Sequence, residues 1–306
     1  MLHVHDVLCL VSRVVTGEGG LEYGIHLGES LDAILHTMPV TGRDGPENGS
    51  LRHGIEGCVQ GKPVETVMVA GADEIGEVLV EKIRRYVAEN DIGLVIVDPP
   101  PDRGAVPPMA DGLMGRLIEE IRCPLFFVET PPVPGTVNEI VVPTDLSEHS
   151  HEALAYAANL AELYDASISL LYVVSRSPYV ALTDVDRLSM GETTLSEHRA
   201  YRELHRFIGD GRLADAPIEP HLAFGEPADR IAHFIQNRNP DLLVLSSHGR
   251  QTRPDEPVGR VADRVLRRVT CPVFFIPAFG CSLLGEKSDA DDSSDASNGG
   301  HATDAP

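Results

Sequence analysis

The chain contains one pattern twice, and a sequence that repeats itself has to fold each copy in a similar way. Ile92-Gly93-Leu94-Val95-Ile96-Val97 matches Pro240-Asp241-Leu242-Leu243-Val244-Leu245, and Arg122-Cys123-Pro124-Leu125-Phe126-Phe127-Val128 matches Thr270-Cys271-Pro272-Val273-Phe274-Phe275-Ile276. Nearer the start of each copy, Leu21-Glu22-Tyr23 and Leu27 with Asp32-Ala33 echo Leu154-Ala155-Tyr156 and Leu160 with Asp165-Ala166. Two of these blocks share one spacing and the third is shorter, so the copies differ by insertions in loops. Thr130-Pro131-Pro132-Val133-Pro134-Gly135 lies between them and reads as a stiff linker.

The second copy alternates strand and helix. Glu139 to Pro143 is a short buried strand, and Ser147 caps a helix running to about Tyr164, with Leu154, Ala157, Ala158 and Ala161 at helical spacing. Ser167 to Val174 is a second strand, the polar stretch Asp184 to Ile208 a helix, and Ile218 to Ala223 a third strand. Glu226 to Asn237 is a helix that tolerates Pro227 in its first turn. Leu242 to Leu245 is a fourth strand, Val258 to Val269 a helix and Pro272 to Ile276 a fifth strand. That alternation implies a parallel sheet covered on both faces. The expected organisation is a first domain over 1–129, a linker over 130–137, a second domain over 138–279 and a disordered acidic tail over 280–306.

The fourth strand runs into Ser246-Ser247-His248-Gly249-Arg250, and Gly259-Arg260 follows nine residues after Gly249. A small polar loop carrying glycine at the carboxyl end of a parallel strand is where α/β sheets bind phosphate. Glycine also lets backbone approach a ligand closely. Charge narrows the ligand class. Asp+Glu number 47 against 25 Lys+Arg, a net charge of −22, which disfavours nucleic acid and anionic membranes. The lysines are Lys62, Lys82 and Lys287 alone, a balance that points to a halophilic archaeal source, where salt screens self-repulsion. No apolar run is long enough to span a bilayer, and Met1 to Asp6 lacks the features of a signal peptide, so a cytoplasmic protein is expected. Five cysteines without a Cys-x-x-Cys pair argue for reduced thiols.

Taken in order, these segments resemble the universal stress protein family in its tandem, two-domain form. Val142-Pro143-Thr144-Asp145-Leu146-Ser147 is similar to the family's first strand and aspartate, and Phe224-Gly225-Glu226-Pro227-Ala228 to its third-strand-to-helix junction. Ser246 to Arg250 with Gly259, then Cys271-Pro272-Val273-Phe274, resemble its phosphate loop and last strand. The resemblance covers 138–278 and is weaker over 5–129. It implies two tandem, doubly wound, Rossmann-like parallel sheets of five strands, with ATP or AMP, and with it Mg2+, held between the ends of the first and fourth strands. On that resemblance Asp145, with Pro143 and Thr144, lies near adenine or ribose, and Val173 offers backbone to adenine. Ser246, Ser247, His248, Gly249 and Arg250 cradle phosphates, and Gly259, Arg260 and Val261 complete the cradle.

Two positions depart from the family's signature. Ser246 stands where its first glycine is expected, and Arg260 where a Ser or Thr is expected. The Arg260 guanidinium either pairs with phosphate or fills the site. In the first copy the corresponding loop is Asp98-Pro99-Pro100-Pro101-Asp102, in which prolines supply no N–H and carboxylates repel phosphate. The first strand, ending near Ser12-Arg13, has no equivalent of Asp145. The first domain is therefore expected to be silent. The family resemblance, whose members pair through their last strands, implies that it serves as an intramolecular pseudo-dimer partner, with Pro124 to Val128 beside Pro272 to Ile276. Pairing with a second chain stays open.

His149 and His151, two apart at a helix start, do not share a face and are expected to be solvated rather than metal ligands. Ser247 and His248 are adjacent, without a Gly-x-Ser-x-Gly elbow, and are not expected to form a hydrolase pair. Cys123 and Cys271 are expected to be small buried residues rather than a redox pair. Arg103, Arg116 and Arg253 are expected to make surface ion pairs. With no positioned base, the expectation is a stress-response protein that binds an adenine nucleotide as a switch and is not an enzyme. The alternative is a nucleotide-independent adaptor with a plugged site.

Overall fold

The computed structural model describes residues 2–11, 19–40, 48–62, 64–68, 77–97, 112–128, 136–175, 189–210, 216–253, 256–278 and 284. The readings made for Ser12, Arg13, the loop 98–102, Arg103, the linker 130–135, Cys281 and the tail beyond Leu284 lie outside the described residues. The first half runs β1 (Asp6–Val11), α1 (Gly20–Leu31), β2 (Ile34–Pro39), α2 (Asn48–Val59), β3 (Thr66–Met68), α3 (Glu77–Glu89), β4 (Leu94–Val97), α4 (Gly112–Glu120) and β5 (Leu125–Phe127). The second runs β6 (Glu139–Thr144), α5 (Glu148–Tyr164), β7 (Ser167–Val174), α6 (Ser189–Asp210), β8 (Ile218–Phe224), α7 (Pro227–Arg238), β9 (Leu242–Ser246), α8 (Arg260–Leu266) and β10 (Val273–Ile276).

The two expected sheets are joined edge to edge into one of ten strands, in the order β3-β2-β1-β4-β5-β10-β9-β6-β7-β8. Neighbours within each half are parallel, while β5 and β10 pair antiparallel with Phe126 opposite Phe274. Last-strand edges that would otherwise expose unpaired backbone thus cover each other. Successive strand residues alternate between two cores: Cys9, Phe126, Val142 and Phe274 belong to one, Leu10, Phe127, Val141 and Phe275 to the other. Each core draws on both halves.

The repeated residues have physical reasons. Asp32 and Asp165 end α1 and α5 in the left-handed conformation, at φ 53° and 55°, and their N–H groups close on Gly28 O and Ala161 O. Aspartate tolerates that region better than most residues, and the alanine after each is buried. Tyr23 packs edge-on against Phe126 at 5.1 Å and Tyr156 packs on Phe274 at 5.8 Å, while the two phenylalanines lie 6.1 Å apart. A chain of four rings therefore crosses the junction, each half contributing a helix tyrosine and a last-strand phenylalanine. Such pairs add about 1 kcal/mol each beyond area burial.

Local signals place the other elements. Ser147 caps α5 by accepting from the Ser150 N–H, and Glu226 caps α7 by accepting from Ala228. The last helix is shorter than expected because Gly259 is extended, at φ −67° and ψ 146°, so α8 begins only at Arg260. Val137, at the end of the expected linker, is buried in the shared core, and Leu284, within the expected tail, forms a bridge with Leu2. Among the described residues no helix is long and apolar enough to cross a membrane.

Candidate functional site

Each half reverses its strand order between its first and fourth strands, and the carboxyl ends of those strands are where open α/β sheets bind ligands. The halves differ there. β1 and β4 stay in register to Leu10–Val97, the last residue of β4. β6 and β9 pair only through Ile140–Leu242 and Val141–Leu243, although the strands continue to Thr144 and Ser246. The unpaired ends open a cleft of about 800 Å³.

All of the residues implicated from sequence, Pro143, Thr144, Asp145, Val173, Ser246, Ser247, His248, Gly249, Arg250, Gly259, Arg260 and Val261, line this cleft. Sequence reasoning missed Ser150, Tyr172, Glu226, Thr252, Glu256 and Arg264, which line it too. The junction Phe224-Gly225-Glu226 had signalled its own place in the fold but not that its carboxylate would reach this cleft.

The loops around the cleft are tied together by Asp145. Its Oδ1 accepts from the Ser147 N–H at 3.1 Å and the Ser150 hydroxyl at 2.8 Å, and its Oδ2 accepts from the Arg250 N–H. Burial pushes the carboxyl up, but the hydrogen bonds from Ser147, Arg250 and Ser150 together outweigh it and hold the group below its ordinary range. The Arg250 side chain returns the contact, donating to Leu146 O at 3.1 Å. Leu146 sits in the left-handed region at φ 63°, a conformation that costs a non-glycine residue about 1 kcal/mol.

The glycines are required by close approach. A Cβ on Gly249 would meet Asp145 Oδ2, and one on Gly259 would stand 2.5 Å from Thr252 Oγ1 and 3.2 Å from Ser247 O. Thr252 closes the turn by accepting from the Gly249 N–H at 3.0 Å and donating its own N–H to Gly249 O at 3.1 Å.

Three of the loop's N–H groups have partners within the protein. The Ser247 N–H donates to Ile276 O, that of Gly249 to Thr252 and that of Arg250 to Asp145. The loop's hydrogen bonds hold its own shape. The first turn of α8, whose cap residue Gly259 has no side chain to bond it, lines the cleft with Arg260, Val261 and Ala262.

Ser247 and His248, expected to diverge, are hydrogen-bonded, with Ser247 Oγ and His248 Nδ1 2.9 Å apart. The pair is not a displayed nucleophile: Ser247 is 1% exposed and its hydroxyl also accepts from the Ala278 N–H. Burial, and then the neighbouring His149, lower the His248 imidazole below its ordinary value against the opposing influence of Glu256. His149 and His151 are half-buried rather than solvated, with His149 edge-on to His248 at 5.8 Å and His151 against Phe207 at 4.2 Å. Among the described residues no three His, Cys, Asp or Glu side chains converge as a metal site. Cys123 and Cys271 are buried in one core and neither forms a disulfide.

Arg260 is exposed at the cleft wall. Arg264 joins Glu226 and Asp229, and Arg268 also joins Asp229, which staples α8 to α7 beside the cleft. Arg116, as expected, makes surface ion pairs, with Glu77 and Glu120.

Residues 136–277 match the model of the universal stress protein family. Universal stress protein MJ0531 of Methanocaldococcus jannaschii is 30% identical over 141 residues, covering 45% of this chain and 81% of that protein. Among solved structures, a functionally unknown protein, PA1789, from Pseudomonas aeruginosa PAO1 aligns with a TM-score of 0.68 at 15% identity, over 90% of this chain and 93% of its own. A putative universal stress protein from Pseudomonas aeruginosa UCBPP-PA14 aligns with a TM-score of 0.67 at 16% identity, over 89% and 93%. The structural likenesses show that the fold extends over both halves, and the family match lies in the half that carries the cleft. By these matches the chain belongs to the universal stress protein family.

Proposed function

We propose that this protein binds an adenine nucleotide, ATP or AMP, in the C-terminal half and acts as a regulatory switch in a stress response rather than as an enzyme. The observation that carries the reading is the early end of the β6–β9 ladder, which opens a cleft of about 800 Å³ at the strand-order reversal. That volume lies within the range of small-molecule sites. Arg260 is exposed on the wall rather than buried across the cleft, which favours binding over the adaptor reading with a plugged site. The buried, doubly bonded Ser247 and the committed Asp145 argue against rapid turnover.

In this reading residues 1–129 are a second, nucleotide-silent copy of the domain. The continuous ladder between β1 and β4 supports that role. Residues 138–279 are the binding domain, and 130–137 and 280–306 the linker and tail. The acidic composition supports a cytoplasmic protein of a halophilic archaeon. Photolabelling with 8-azido-ATP and peptide mapping tests the placement. Labelling that excess ATP suppresses should fall on peptides spanning 139–175 or 242–261; labelling of the first half would contradict it.

A further inference from the structure

Arg260 stands apart from the other charged groups of the cleft. Those groups are Asp145, Glu226 and Glu256 against Arg250 and Arg264, with the buried His248 beside them. Arg264 is committed to Glu226 and Asp229. Asp145 accepts from three donors, and Glu226 accepts from Ala228 as well as from Arg264. Arg250 holds Leu146 O. The Arg260 side chain makes no hydrogen bond or ion pair among the described residues. In a chain where 47 acidic residues face 25 basic ones, a cleft arginine without a carboxylate partner is a place where positive charge is left for something else.

We infer that Arg260 pairs with the phosphate chain of the ligand in place of a divalent cation, so that the site takes a nucleoside polyphosphate without Mg2+. This inference rests on the nucleotide reading above. A guanidinium fork matches two phosphate oxygens and carries its charge without coordination requirements. Mg2+ needs an octahedron of oxygens, commonly with one or two protein carboxylates among them. Of the cleft carboxylates, Asp145 and Glu226 are committed to hydrogen bonds, and Glu256 acts on the neighbouring His248 imidazole. The cation would find no carboxylate in the cleft that is not already engaged by a neighbouring group. The preferred ligand class is therefore a nucleoside di- or triphosphate, ahead of the monophosphate.

The test is calorimetric titration of the full chain in molar KCl with adenosine, with ATP in EDTA, with ATP and Mg2+, and with inorganic tripolyphosphate in EDTA. Arg260→Gln and Arg260→Lys are run beside the wild type. ATP affinity with and without Mg2+ should agree within about threefold, less than the tenfold that 1.4 kcal/mol represents. Arg260→Gln should weaken ATP and tripolyphosphate by about 30-fold and leave adenosine unchanged, with Arg260→Lys between the two. A requirement for Mg2+, or ATP binding indifferent to Arg260→Gln, overturns the inference while the nucleotide reading stands. Adenosine binding with ATP no tighter overturns it in the same way. Absence of binding by both adenosine and ATP to the wild type overturns the nucleotide reading and this inference with it.

Discussion

The main-chain N–H of Arg250 donates to Oδ2 of Asp145, so one carboxylate holds the loop after β6 to the loop after β9. The two loops belong to strands whose ladder has already ended, and nothing in the sheet itself keeps them at that distance. Asp145→Asn keeps the volume but replaces an acceptor of three hydrogen bonds with a neutral amide. Stability should fall by roughly 3 kcal/mol, read as a lower denaturant midpoint at unchanged slope.

The same carboxylate gives an acid dependence with a defined sign. Its folded pKa is depressed, so the unfolded chain takes up the proton first as pH falls. The stabilisation is complete above the ordinary carboxylate value of about 3.9 and is lost as pH drops through the lower folded value. Denaturant midpoints of wild type and Asp145→Asn should keep a constant gap from pH 6 down to about 3.9 and draw together below it; a gap that stays constant below that value would contradict the assignment.

His248 acts in a higher window. Burial and His149 depress its folded pKa, so stability is fully present above about 6.5 and declines as pH falls through the folded value. The groups around it are Ser247, His149 and Glu256. His248→Gln should flatten the stability profile between pH 7 and 5, while an unchanged profile would place the titration elsewhere.

Much of the architecture was readable in sequence because it rests on local rules. The apolar strand blocks recur at one spacing in both copies, Ser147 is a cap by its residue type, and the Asp-Ala echoes are left-handed helix ends. The edge pairing of β5 with β10 was implied by the family resemblance rather than by a local rule. What sequence could not carry was the partnership of polar groups. That Asp145 spends its oxygens on Ser147, Ser150 and Arg250, or that Ser247 and His248 share a bond although adjacent, depends on how two distant loops meet. The early end of the β6–β9 ladder is likewise a property of tertiary packing, since the residues beyond it still read as strand.

The ring chain across β5 and β10 predicts that the halves unfold together. Phe126→Ala removes a 4% exposed ring from a core both halves share and should cost about 3–5 kcal/mol within a single cooperative transition. Two resolved calorimetric transitions in the wild type would contradict that coupling. Residues 138–280 alone, with the β10 edge uncovered, should dimerise or aggregate, and a well-behaved monomer would show that the pairing is dispensable.

The net charge of −22 predicts salt dependence. Raising KCl from low to molar concentration shrinks the Debye length to about 3 Å and should raise the melting temperature. Full stability in dilute buffer would count against a halophilic source.

The most direct test is calorimetric titration of ATP and AMP into the full chain in molar KCl, with Gly249→Val as the control. A valine side chain at 249 runs into the Asp145 carboxylate and should break the loop clasp. The account predicts one site per chain in the wild type and none in Gly249→Val. Absence of binding in the wild type, a second site, or undiminished affinity in Gly249→Val would contradict a single switch site in the C-terminal half.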